Sequence, residues 1–189
     1  MPTQSISQED RASLLEVARA SISHGLTHRR PLAVDPDTFA DGLARPGASF
    51  ITLRIEGQLR GCIGRMEATG PLVRSIAQNA YAAAFEDPRF DPLTEPEYAR
   101  IDVHVSVLTE PAPMRFKDEG DLLRQLRPGV DGLVLETGRC RGTFLPAVWE
   151  TLTEPKHFLD QLKVKAGLHP DAWPEDVRVL RYTCESFEG

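Results

Sequence analysis

The residues best suited to chemistry lie in one short run that alternates like a strand, 58–63. Arg60 and Cys62 are two positions apart, so an extended backbone points both side chains to one face. Gly61 between them lets a second backbone or a ligand approach closely. A nearby guanidinium favours the thiolate, the form of cysteine that acts as a nucleophile. Cys62 is therefore a candidate catalytic residue, with Arg60 and Gly61 as candidate substrate-binding residues; the alternative is a packed, inert thiol beside a structural arginine.

Arg141 and Thr143 repeat this arrangement in the second half of the chain. The runs 57–62 and 138–143 both read G-x-x-R-G followed by a small nucleophile-type residue, and each hairpin follows an Arg-Pro-Gly tripeptide. We expect Arg60 and Arg141 to bind an anionic or carbonyl-bearing small molecule, with Thr143 as a hydrogen-bonding neighbour. The alternative is coincidence, because glycine and arginine are common at turns.

Asp87 and Arg89 are further candidates for binding the substrate. They lie in a proline-rich loop, where a carboxylate and a guanidinium either orient a neighbouring strand or bind a ligand. The first role is the commoner one for loop carboxylates, which often hold backbone groups.

Metal and cofactor sites are not expected. His24 and His28 have the spacing of a metal-binding pair on a helix, but Gly25 predicts that the helix has already ended, so solvated histidines are expected. The sequence contains no H-E-x-x-H, P-loop, G-x-G-x-x-G or G-x-S-x-G motif.

Composition excludes several classes of protein. The 189 residues include 22 Lys and Arg against 28 Asp and Glu, a net charge of −6 without a basic run, so no nucleic-acid partner is expected. Mean hydropathy is −0.30 and no apolar run is long enough to span a membrane. The first ten residues lack the apolar core of a signal peptide. Three scattered cysteines predict no disulfide scaffold, and the cytoplasm is the expected compartment.

The elements that must position these residues follow one order in both halves. After an N-terminal helix over about 8–24, a hairpin over 48–65 precedes a helix that begins at Pro71 and a strand over 101–109. A two-residue turn at 56–57 places Arg60 on the face of apolar strand residues, where it must snorkel, pair or line a polar cavity.

That register sets Leu53 across from Arg60 and Ile51 across from Cys62.

The second half repeats hairpin, helix and strand. A short helix over about 119–126 is followed by a hairpin over 132–145, a helix from Thr153 to Gly167 and a last strand over 177–184. The repeated order and motifs predict an internal duplication.

The run 59–64 (LRGCIG) resembles the signature of the AMMECR domain family. Asp87–Phe90 (DPRF) and 142–149 (GTFLPAVW) also fit, the latter resembling the bacterial and archaeal branch called AmmeMemoRadiSam system protein A. The resemblance covers about Glu9–Phe187. One departure is His104, which stands where the family has small polar residues and is therefore not expected to be a shared catalytic base.

The resemblance implies an α+β fold in which two hairpin–helix–strand repeats share one barrel-like, mainly antiparallel sheet flanked by helices. We expect a single domain over 1–189, with repeats at about 45–109 and 127–184. It also implies two partners, a Memo-like protein related to extradiol dioxygenases and a radical SAM protein. It supplies no reaction.

Two functions are compatible with these patterns. The first is a cysteine-dependent enzyme, or enzyme subunit, with a small-molecule pocket around the Arg60–Cys62 motif. The second is a non-catalytic binding or scaffold module for a partner enzyme. The motif favours the first, whereas the lack of a dedicated base favours the second.

Overall fold

The chain forms two four-stranded antiparallel sheets with helices, and its last strand belongs to the first sheet. The structure, a computed structural model, describes residues 6–189. They divide into two units: the first ends at Leu108 and regains Glu185–Gly189, and the second is Thr109–Cys184. Among the described residues, no helix combines the length and apolar character needed to cross a membrane.

The elements of the first unit follow one another as α1 (Gln8–His28), α2 (Asp41–Ala44), β1 (Ala48–Ile55), β2 (Gln58–Gly64), α3 (Leu72–Phe85), α4 (Glu95–Tyr98) and β3 (Ile101–Leu108). The second unit follows with β4 (Ala112–Pro113), α5 (Glu119–Gln125), β5 (Gly132–Thr137), β6 (Cys140–Phe144), α6 (Pro155–Ala166) and β7 (Arg178–Tyr182). The chain then returns to the first sheet as β8 (Cys184–Glu188).

The α+β class and the hairpin–helix–strand order of both halves are confirmed, but the single barrel-like sheet is wrong. The strands form two sheets, ordered β2-β1-β3-β8 and β4-β7-β5-β6. The predicted last strand over 177–184 is interrupted at Thr183, and the segments on either side pair in different sheets. Both sheets place the first hairpin strand between its partner and the strand after the helix. Internal duplication stays a prediction that this shared order supports.

The first helix continues one turn beyond its predicted end. Ser7 caps it, since its Oγ accepts from the Asp10 N–H at 3.1 Å, and Arg29 ends it in the left-handed region at φ 55°. Gly25 therefore lies inside the helix and does not end it. It permits close packing there, since a Cβ at this position would lie 2.4 Å from the Phe85 ring.

The core of the first unit lies between α1, α3 and one face of the sheet. Alternate residues of β1 and β3 supply the sheet face, and small residues of α3 allow close approach. Its fully buried strand side chains are Ile51, Leu53, Val103 and Val105. The core of the second unit centres on Phe158, whose ring stacks on Trp149 at 3.8 Å.

The second glycine of each G-x-x-R-G run lies where the hairpin packs against the following helix. A Cβ on Gly61 would lie 2.0 Å from the Ala83 carbonyl oxygen in α3. A Cβ on Gly142 would lie 2.8 Å from the Ala166 nitrogen in α6. Because both obstacles are helix backbone, neither can move aside without shifting the helix.

We predict that Gly61→Ala lowers the free energy of unfolding by at least about 2 kcal/mol, and Gly142→Ala by about 1–2 kcal/mol, because overpacking displaces a helix. Urea unfolding followed by circular dichroism measures both. Gly42→Ala is the matched control, since nothing lies within 4 Å of its Cβ and α2 is helical there; it is expected to be neutral or slightly stabilising. Equal effects at the three glycines would contradict the close-packing role.

Candidate functional site

The first hairpin turns where expected but shifts register before it reaches Cys62. Glu56 and Gly57 form the turn with φ values of 52° and 77°. The ladder then slips between Leu53 and Arg54 of β1, which leaves Arg60 as an extra residue of β2.

The expected pairs across the hairpin are therefore wrong. Gly61, rather than Arg60, lies across from Leu53, and Cys62 lies across from Thr52 instead of Ile51. The bulge lets Gly61 meet α3 on the core face and places Cys62 on the opposite face of the sheet.

The guanidinium of Arg60 pairs with a carboxylate. Its Nε and Nη2 donate to the two carboxylate oxygens of Glu97 at 2.8 and 3.1 Å, and Nη2 also donates to the Asp91 carbonyl at 3.0 Å. Only 13% of the Arg60 side chain is exposed. The sequence predicts that this arginine must snorkel, pair or line a polar cavity. It forms an ion pair, in which the Glu97 carboxylate balances its charge.

Glu97 is held in turn by the start of α4. Its Oε2 accepts from both the N–H and the hydroxyl of Thr94, at 2.9 and 2.8 Å, in a capping box. The bonds from Arg60, and secondarily those from Thr94, outweigh burial and lower the pKa of Glu97 from 4.5 to about 2. The carboxylate is therefore ionised throughout the physiological range.

Asp87 and Arg89 form the second ion pair, and it holds the backbone of Cys62. Arg89 donates from Nε and Nη2 to the Asp87 carboxylate at 2.9 and 2.7 Å. The Cys62 N–H donates to Asp87 Oδ2 at 2.8 Å, and Arg89 Nη2 donates to the Cys62 carbonyl at 3.3 Å. The Asp87 side chain is 2% exposed, and the Arg89 bond holds the pKa of this carboxyl well below its usual range despite burial.

Both guanidiniums border one surface depression of about 590 Å³, which we call the arginine depression; it is lined by Arg60, Arg89, Phe90, Asp91, Pro92, Thr94 and Glu97. Phe90 lies between the two arginines, with its ring centroid 5.7 Å from the Arg60 Cζ and 5.5 Å from the Arg89 Cζ. Within residues 6–189, Nη1 of each arginine makes no hydrogen bond. The depression therefore offers two charged donors around an aromatic face.

The Cys62 thiol itself contacts a hydroxyl. Cys62 Sγ and Thr52 Oγ1 lie 3.2 Å apart in a hydrogen bond that either atom can donate. All three cysteines are free and partly buried. Cys184 is poorly suited to nucleophilic chemistry, because burial raises the pKa of its thiol to about 11.

The two remaining candidates lie on β6 in the second unit. Arg141 is paired in the ladder with Glu136, to which its Nε donates at 3.1 Å. The Thr143 hydroxyl donates to the Leu133 carbonyl at 2.9 Å and lies 3.3 Å from the Tyr182 hydroxyl. The structure thus brings together Arg60, Cys62 and the Asp87–Arg89 pair in the first unit; a role of Arg141 and Thr143 in ligand binding stays a prediction.

The two histidines of α1 lie within the helix and not beyond it. Their rings stack at 4.0 Å, because His24 and His28 are one turn apart. No group of three or more potential metal ligands occurs in the described part of the chain.

Glu97, Phe90 and Thr52 are the site residues that the sequence predictions missed. The T-x-x-E spacing of Thr94 and Glu97 is a helix-start signal that was available in the sequence. Thr52 becomes identifiable only once the bulge is known, since the unshifted register puts it out of line with Cys62.

Comparisons with known proteins give one family. The family model described as AMMECR1 matches residues 15–187. A protein from Methanothermobacter thermautotrophicus is 38% identical over 184 residues, covering 96% of this chain and 95% of that protein. A Saccharolobus solfataricus protein is 38% identical over 187 residues, covering 95% and 81%. The crystal structure of uncharacterized protein PH0010 from Pyrococcus horikoshii matches with a TM-score of 0.85 at 34% identity, over 97% of this chain and 93% of that one.

Glu97→Gln is expected to lower the free energy of unfolding at pH 7 by about 1.5–3 kcal/mol, the range for a hydrogen bond to a charged group. A carboxyl whose pKa falls on folding stabilises the folded state above its ordinary value, so this difference is complete above pH 4.5 and disappears as the pH falls to about 2. Urea unfolding at pH 7, 4 and 2 measures it.

Glu56→Gln is the matched control, because the Glu56–Arg100 pair is mostly exposed and is expected to contribute less than about 1 kcal/mol. A Glu97→Gln effect that stays constant between pH 7 and pH 2 would contradict the assigned ion pair.

Proposed function

The chain belongs to the AMMECR1 family, as the run 59–64 predicts, and we propose that it binds a small anionic molecule in the arginine depression. One observation carries the proposal: Arg60 and Arg89 flank the same phenyl ring, each with an Nη1 that no described residue uses. A carboxylate can accept from these donors while a flat apolar group packs on Phe90.

The charge balance of the depression predicts a modest affinity. Each guanidinium already shares its charge with one carboxylate, Arg60 with Glu97 and Arg89 with Asp87, and Asp91 adds a further carboxylate to the lining. A ligand therefore gains hydrogen bonds and aromatic contact without neutralising an unpaired charge. Two charge-assisted hydrogen bonds and one aromatic contact leave little net free energy once the cost of association is subtracted, so we expect binding of a small probe to be no tighter than millimolar and binding of a larger natural ligand to be tighter.

The protein is either an enzyme or a binding module under this proposal. Cys62 is the candidate nucleophile of a cysteine-dependent enzyme acting on a carbonyl-bearing ligand. It does not line the depression, but its backbone is held by Asp87 and by Arg89, which does line it. In the second form, the protein presents a ligand, or itself, to a partner. The resemblance to the bacterial and archaeal branch implies a Memo-like and a radical SAM partner in the cytoplasm, and we include these as part of the proposal.

Benzoate is the first probe, because it combines a carboxylate with a flat ring, and benzamide is its uncharged counterpart. We expect saturation-transfer NMR to give millimolar binding of benzoate, at least tenfold tighter than that of benzamide. The difference of about 1.4 kcal/mol is that of one charge-assisted hydrogen bond. Arg89→Gln is expected to reduce this difference, with Arg60 left as the remaining charged donor.

Arg124→Gln is the matched control for loss of a positive charge, since Arg124 is well exposed and pairs only with Asp121 in the described chain. Phe90→Leu tests the aromatic face by keeping apolar bulk. Arg141→Gln tests the candidate in the second unit in the same titration. Equal binding of benzoate and benzamide by the wild-type protein would remove the anion site.

A Memo-like protein encoded in the same genome is the partner to test. If the two proteins form a transient complex, calorimetric titration is expected to give a dissociation constant of tens of micromolar, typical of small polar interfaces. Arg60→Ala is expected to weaken it, because its loss releases Glu97 and rearranges the depression. Absence of both heat and comigration at these concentrations would remove the partner and leave the small-molecule site.

A further inference from the structure

A row of polar side chains crosses the first sheet on the face opposite α3. The ladder pairs Cys62 of β2 with Thr52 of β1, and Thr52 with His104 of β3. His104 in turn reaches β8, where its Nδ1 lies 2.9 Å from Glu188 Oε2. The four strands of the sheet therefore contribute one member each, in the order thiol, hydroxyl, imidazole and carboxylate.

The spacing suits proton transfer along the row. Cys62 Sγ and Thr52 Oγ1 are already hydrogen-bonded at 3.2 Å. Directly paired residues of antiparallel strands have Cβ atoms about 5 Å apart, within reach of a hydroxyl and an imidazole through a side-chain rotation or one water molecule. Because Glu188 lies beside Nδ1, the nitrogen that remains for Thr52 is Nε2, for which the described residues provide no hydrogen bond.

The far end of the row is open. The His104 side chain is 30% exposed. A surface depression of about 440 Å³ borders His104 and Glu188 on that side of the sheet. A proton that reaches the imidazole can therefore pass to solvent, while Glu188 balances the positive charge on the ring.

We propose that Thr52, His104 and Glu188 form a proton relay that makes Cys62 a nucleophile towards electrophilic carbonyl carbon. The structure thus supplies the base that the sequence patterns lacked, at a residue where the family resemblance implied none. No residue of the relay lines the arginine depression, so the outcome of the benzoate experiment neither supports nor contradicts the relay.

The chemical step is a reversible addition. The sulfur electron pair forms a C–S bond to the carbonyl carbon, and the C=O π pair moves to the oxygen. The thiol proton passes to Thr52 as the Thr52 hydroxyl proton passes to His104, and the imidazolium returns a proton to the new alkoxide. An aldehyde and the thiol thus combine into a hemithioacetal, with no atom lost and no oxidant or reductant needed.

Iodoacetamide labelling, read by mass spectrometry for each cysteine, measures the relay. In this labelling reaction the sulfur forms a bond to the methylene carbon of iodoacetamide, iodide leaves with the electron pair of the carbon–iodine bond, and the thiol proton goes to solvent. In wild-type protein at pH 7.5, we expect Cys62 to react at least fivefold faster than Cys140 or Cys184. His104→Gln and Thr52→Val are each expected to lower the Cys62 rate at least fivefold, whereas Thr52→Ser, which keeps the hydroxyl, stays within twofold.

Ser106→Ala is the matched control, since Ser106 lies two residues from His104 on the same strand face and bonds Ser186 instead. An unchanged Cys140 rate reports intact folding in every variant. Glyoxylate, an aldehyde, is expected to protect Cys62 reversibly, with protection lost on dilution. The proposal is overturned if Cys62 is no faster than Cys140, if Thr52→Val and His104→Gln leave its rate within twofold, or if glyoxylate gives no protection.

Discussion

The buried carboxylate of Asp87 is the constraint on which the candidate site depends. A charge with 2% of its side chain exposed must find partners inside the protein, because an unpaired buried carboxylate costs several kcal/mol. Asp87 finds them in the guanidinium of Arg89 and in the backbone N–H groups of Cys62 and Arg89. One carboxylate thereby joins β2 to the loop after α3 and sets where both the thiol and the arginine lie.

The bulge at Arg60 divides the chemistry of β2 between two surfaces. Gly61 must face α3, because only a residue without a side chain fits against the Ala83 carbonyl. That contact turns Cys62 to the face of the sheet opposite α3, beside Thr52, while Arg60 pairs with Glu97 at the arginine depression. The three residues of the R-G-C run therefore have three different roles. Arg60 binds a carboxylate, Gly61 permits close packing and Cys62 presents a thiol.

The sequence predicts the strand that carries the site, but not the partners of its side chains. The turn at 56–57 and the alternation of β1 are local signals, and both are confirmed. The bulge at Arg60 depends on the packing of Gly61 and on Glu97, 37 positions away, so no local pattern contains it. The division into two sheets has the same origin, because which strand pairs with which is decided by packing across the chain. The capping box of Thr94 and Glu97 is an exception, because its T-x-x-E spacing is a local signal present in the sequence.

The role of Asp87 in holding the Cys62 backbone is tested most directly by amide hydrogen exchange in protein labelled with ¹⁵N-cysteine. Its spectrum carries three backbone signals, from Cys62, Cys140 and Cys184. The account predicts that Asp87→Ala speeds exchange at Cys62 at least tenfold while the other two stay within twofold, and that Asp91→Ala changes none of them. An unchanged Cys62 rate in Asp87→Ala, or an equal rise at all three cysteines, would contradict it.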